Sequence, residues 1–133
     1  LKSDMLILAN NFLLSSNTIA SSNSASKRLW IVVPDSVVDN TPTCPSGSSS
    51  IGNNVNVSNL VNAFIYSPCP ISNAGDVWRG QMYASSISTS APFTLSFVPI
   101  GLPNVNLSTG EVFSPPGTGV LGDRSTIRDL VVN

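Results

Sequence analysis

The chain has two cysteines, Cys44 and Cys69, and no histidine, and this narrows its chemistry at once. A nucleophilic serine needs a base beside it. Without histidine that base would have to be Lys2 or Lys27, and neither sits in a recognisable catalytic setting. Glycoside hydrolysis needs two facing carboxylates. Asp35, Asp39, Asp76, Glu111, Asp123 and Asp129 are available, but each lies in or beside a turn signal, where an acidic side chain commonly braces its own backbone. Gly122-Asp123-Arg124 is too short to specify a calcium or integrin-type loop and reads as a turn with a surface ion pair. No Walker sequence and no GxGxxG is present. Two isolated cysteines without histidine do not make a four-ligand zinc site. The expectation is a protein that is not an enzyme and carries no metal and no cofactor.

Both cysteines are flanked by prolines, in "TPTCPSG" and "SPCPIS". One reading leaves two free thiols. The other joins Cys44 to Cys69 in a disulfide that closes a Ser-, Gly- and Asn-rich loop, worth ~3 kcal/mol by restricting the unfolded chain. The composition favours the disulfide and an oxidising compartment. Of the aromatic residues, Trp30, Tyr66 and Tyr83 read as core or capping residues. Trp78 stands beside Arg79-Gly80 and reads as an exposed aromatic. With Asp76 and Arg79 it forms the candidate ligand-binding group, suited to stacking on a sugar.

Only 10% of the 133 residues are charged, against about 25% in an average domain. Six basic residues against seven acidic ones supply no field for nucleic acid or an anionic membrane. The hydrophobic share is 41%, enough for a core, and Ser, Thr and Asn take the place of the missing charge. Such a surface suits a secreted β protein. "MLILANNFLL" is broken by Asn10 and Asn11, far short of the ~20 residues of a spanning helix. It also lacks the preceding basic segment of a signal peptide. The chain reads as a mature or excised single domain over 1–133, extracellular or on a cell surface, with any targeting segment outside it.

The elements that must carry these residues read as strands. "RLWIVVPD", "NAFIYSP", "WRGQMYASSIST" and "FTLSFVPI" are short β-branched or aromatic runs bounded by Pro, Gly, Asn and Asp. The one helical signal is "SNLVNAFI", where Ser58 is a potential cap. Three segments repeat. Trp30-Ile31-Val32-Val33-Pro34 aligns with Phe64-Ile65-Tyr66-Ser67-Pro68 at an offset of 34, and the latter with Gln81-Met82-Tyr83-Ala84-Ser85 at 17. Val37 and Ile71 match at 34 as well, and a further apolar run covers 93–100. Repeats of this length suit the rungs of a short parallel β-solenoid. Ile31, Ile65 and Met82 would then stack inside, with Tyr66 and Tyr83 in the same stack, and the stretch around Gly47 to Val55 would be a looped-out insertion carrying Cys44. A β-sandwich is the alternative. The C-terminal part is irregular and rich in Gly and Pro. In it "STGE" reads as a turn, and "STIRDLVVN" as a last strand returning to "DMLILANN".

The segment "VNAFIYSPCPISNAGDVWRGQMYASSISTSAPFTLSFVPIGLP" resembles a β-solenoid module of bacterial secreted proteins associated with type IV pilus-like systems. The likeness rests on Ile65 to Pro68 and on Gly80 to Ala84, within about 40 residues. The family implies an extracellular solenoid on a pilus-associated or cell-surface protein, without known catalysis. This chain departs from it in having the cysteine pair and in lacking a hydrophobic N-terminal helix. The expected function is therefore a non-enzymatic structural or adhesive domain of a bacterial surface appendage, a pilus-like or fibre subunit. Its expected partners are copies of itself or neighbouring appendage subunits. The alternative is a carbohydrate-binding module, or a fragment of a polysaccharide-acting β-helix protein, in which Asp76, Trp78 and Arg79 hold a glycan. Discriminating the two calls for a glycan-binding assay on Trp78→Ala.

Overall fold

The structure is a computed structural model, and it describes residues 1–103 and 105, except 16, 38, 40 and 46. The chain splits into two compact units, Leu1–Ile100 and Gly101–Asn133. All the strands among the described residues belong to the first unit. The expected turn at "STGE" and the last strand "STIRDLVVN" lie outside the described residues.

The described residues contain strands and no helix. In chain order they are β1 (Met5–Leu8), β2 (Leu13–Leu14), β3 (Thr18–Ile19), β4 (Lys27–Val32), β5 (Ser49–Ile51), β6 (Asn56–Val57), β7 (Val61–Ser67), β8 (Ile71–Asn73), β9 (Val77–Ala84), β10 (Ile87–Thr89) and β11 (Thr94–Phe97). "SNLVNAFI" is a turn followed by β7, the Val61 N–H donating to Ser58 O at 3.0 Å. Val61, Ile65 and the aromatic Phe64 and Tyr66 in a run of seven outweigh one capping serine.

One sheet runs β1-β4-β7-β9-β6-β3, with β11 added to β9, and a smaller one runs β10-β8-β5-β2. The sheets curl, in the manner of a half-barrel. Every strand pair among the described residues is parallel. That removes the β-sandwich alternative, whose hairpins need antiparallel neighbours.

The sequence repeat is the strand register. Trp30, Ile31 and Val32 on β4 face Phe64, Ile65 and Tyr66 on β7. Those three face Gln81, Met82 and Tyr83 on β9. The ladder also runs back to β1, where Leu6, Ile7 and Leu8 face Trp30, Ile31 and Val32. Beside it, Leu13, Ser50, Ser72 and Ser88 form a second column through β2, β5, β8 and β10. Thr18, Asn56, Val77 and Thr94 form a third through β3, β6, β9 and β11.

Side-chain alternation decides the core. Leu29, Ile31, Ala63 and Ile65 point inward, meeting Ile51, Val55, Val57, Val61, Ile71 and Trp78. Met82 is half-buried against the same cluster. The next residues along, Tyr66 and Tyr83, fall on the opposite side. Tyr66 is half-buried and Tyr83 exposed, so neither joins the inner stack. Trp30 and Phe64 are also buried, on the outer side of their strands, as parallel sheets generally require of both faces. There Gln81 accepts a hydrogen bond from the Ile100 N–H at 2.6 Å and donates to the Tyr83 hydroxyl at 2.9 Å.

Two features of the insertion differ from expectation. Val37 is exposed and does not match Ile71, which pairs instead with Ser49. The extra residues lie between β4 and β5. The stretch expected to loop out, Gly47 to Val55, contains strand β5 and the buried Val55. Asp35 braces the true insertion by accepting from the Val37 and Thr43 N–H groups, both at 3.0 Å. Asp39 does the same for Thr41 at 2.9 Å. Cys44 in this loop is joined to Cys69 between β7 and β8, as the oxidised reading expected. Cys69 is buried and Cys44 exposed.

Candidate functional site

Asp76, Trp78 and Arg79 follow one another through the start of β9, but they do not form an exposed groove. Trp78 is completely buried in the core. Its indole N–H donates to Ala63 O at 3.2 Å. Facing inward in the cluster that holds Val57 and Ile19, it presents no ring face to a sugar, so its expected exposure is corrected. Arg79 points the other way and is half-buried, its Nε donating to Asn62 Oδ1 at 3.0 Å. Asp76 is exposed, and its backbone joins neighbouring strands: its N–H donates to Val55 O and its carbonyl accepts from the Thr94 N–H.

Within β9, Gly80 takes a φ of +134°. Here β9 passes from pairing with β6 and β11 to pairing with β7. A Cβ at this position would overlap the Ala63 backbone. Only glycine offers both the conformation and the space.

The arrangement that stands out lies at the sheet edges. Among the described residues β1, β2, β3 and β10 are terminal strands of their sheets, and β11 pairs with β9. Their sequences are MLIL, LL, TI, IST and TLSF. None contains a charged residue or a proline, the usual devices that protect an edge. On the first edge Met5, Leu6, Ile7, Leu8 and Leu13 are all exposed, Leu8 to 65% and Leu13 to 71%. On the last, Ile87, Leu95 and Phe97 are exposed, Phe97 to 67%. Several belong to inward-facing columns: Ile7 faces buried Ile31, and Leu95 faces buried Trp78. They are core positions on which no further strand is stacked among the described residues. The first edge also opens into a cavity of about 220 Å³ lined by Leu13, Leu14, Ser15, Asn17, Ile19 and Val55.

The charges nearest the first edge flank its strands rather than lie on them. Asp4 accepts from the Arg28 N–H at 2.8 Å and from its Nε at 2.9 Å, and the Arg28 guanidinium lies over Trp30 at 5.4 Å. The backbone hydrogen bond from Arg28 is the main cause that lowers the Asp4 carboxyl below its usual range. Among the described residues no group of three or more acidic or cysteine side chains is placed to hold a metal, and no helix is long and apolar enough to cross a membrane. Comparisons with family models, curated proteins and solved structures find no match.

The sequence led to the expectation of self-association but did not mark which strands form the edges, because an edge strand and a central strand carry the same local signals. The informative sign was the run of apolar residues in "MLILANNFLL", which is too long for a half-wet strand and too short for a membrane span.

Proposed function

We propose that this chain is a non-enzymatic structural or adhesive domain of an extracellular bacterial surface appendage, built as a short parallel β-solenoid. In this reading β1–β2–β3, β4–β5–β6, β7–β8 with the start of β9, and the rest of β9 with β10 and β11 are four successive tiers. The observation that carries it is the pair of uncharged, proline-free edges with exposed apolar side chains at both ends of the strand ladders. Backbone edges recognise other chains without special side chains. The disulfide is compatible with an oxidising exterior. The likeness of residues 65–68 and 80–84 to the pilus-associated module agrees with the same setting.

The carbohydrate-binding alternative is weakened by the burial of Trp78. The test is to incubate the protein with polysaccharides and polymeric surfaces, measuring turnover and retention together. Retention on surfaces or self-association without turnover is the expected result. Turnover that vanishes in Asp76→Asn or Glu111→Gln would overturn the reading.

A further inference from the structure

The two edges are complementary to each other. The inner column Ile7, Ile31, Ile65, Met82 begins on an exposed isoleucine and ends on a half-buried methionine. The third face ends on Leu95 over Trp78 and begins on Ile19, which faces Val57. The outer column of that face, Thr18, Asn56, Val77, Thr94, begins and ends on threonine. β1 and β11 are each four residues long, and β2 and β10 two and three. The first edge holds a cavity beside Leu14 and Ile19, and the last edge projects Leu95 and Phe97, both exposed.

We infer that a second copy of this chain is the occupant of the first edge, stacked head to tail so that the last strands of one molecule continue the parallel ladders of the next. The inference rests on the structural role proposed for the chain and names its partner. Leu95 of one copy enters the cavity beside Ile19 of the following copy while Thr94 meets Thr18, and Phe97 continues the column of Met5, Leu29, Ala63 and Gly80. The same parallel register that joins the strands within one molecule is repeated between molecules. A head-to-tail contact does not close on itself, so it generates a filament rather than a dimer. An isologous contact between two first edges would bury Leu8 and Leu13 but would leave Leu95 and Phe97 bare.

The experiment uses the full chain and two variants altered at exposed positions, one at each edge. Leu8→Lys with Leu13→Lys blocks the first edge, and Leu95→Lys with Phe97→Lys blocks the last. Circular dichroism and the melting temperature establish that both remain folded. Wild type is expected to show mass rising with concentration in light scattering, and each variant alone to stay at monomer mass. An equimolar mixture is expected to double in mass, because the open last edge of one variant meets the open first edge of the other. Dimerisation of the last-edge variant by itself would show an isologous contact and overturn the inference while leaving the structural reading in place. A wild-type chain that is monomeric at all concentrations overturns it as well. If that monomer still adheres to surfaces without turnover, the broader reading survives its loss.

Discussion

Ile65 and Ser88 show at single positions how inside and outside are assigned. Ile65 is wholly buried, between Ile31 and Met82. Ser88 lies on an exposed outer column. Ile65→Asp leaves an unpaired charge in the core and is expected to unfold the domain, at a cost of several kcal/mol. Ser88→Asp is expected to change stability by about 0.5 kcal/mol or less, and similar melting temperatures for the two variants would disprove the assignment. Gly80 gives a sharper case. Gly80→Ala forces a side chain into the Ala63 backbone at a left-handed φ, and a loss of about 3 kcal/mol or more is expected in denaturant unfolding. Acid acts through Asp4. Its folded pKa is lowered, so its contribution is present above the unfolded value and fades as the pH falls through the folded one. The group is largely in solvent, which keeps the effect small. Asp4→Asn should flatten the acid limb of the stability profile slightly, an outcome checked by melting wild type and variant side by side from neutral to acid pH. Trp78 shows where single residues mislead. Its neighbours Arg79 and Gly80 suggested a surface turn. Yet tryptophan and arginine on successive strand positions must face opposite ways, and the parity placed the indole inside.

At the scale of elements, much was written in the sequence and one large piece was not. The offsets of 34 and 17 are the register of β4 on β7 and of β7 on β9, because stacked parallel strands ask for equivalent side chains at equivalent places. The offset of 24 between β1 and β4 left no such trace. Leu6-Ile7-Leu8 carries neither the aromatic residue of the later copies nor the proline that follows β4 and β7. The insertion was displaced for a related reason: Ser49 to Ile51 looks like loop by composition, and only its pairing with Ile71 and Leu14 makes it a strand. The disulfide follows from this layout, since it ties the inserted loop to the turn between β7 and β8. Non-reducing mass spectrometry is expected to show a peptide joining Cys44 to Cys69. Reduction should lower stability by ~3 kcal/mol on the chain-entropy account. Two alkylatable thiols in natively purified protein would contradict both the linkage and the oxidising compartment.

For the whole molecule the decisive quantity is how little charge it has and where that charge is absent. The net charge is −1, and the five edge strands carry none. In a stacked array, repulsion between copies is therefore weak, and attraction comes from apolar burial and backbone pairing rather than from ion pairs. Salt then distinguishes this contact from a charge-steered one. Screening at about 1 M ionic strength cuts the Debye length to ~3 Å and dissolves associations built on exposed charges. Here the mass seen in light scattering is expected to hold between about 0.1 M and about 1 M sodium chloride. Sulfate, which is excluded from apolar surface, should increase it. The double variant Leu95→Lys with Phe97→Lys should lose the sulfate response along with the assembly. Association that falls as sodium chloride rises would place its origin in Lys2, Asp4, Lys27 or Arg28 near the first edge, and the apolar edges would lose their role.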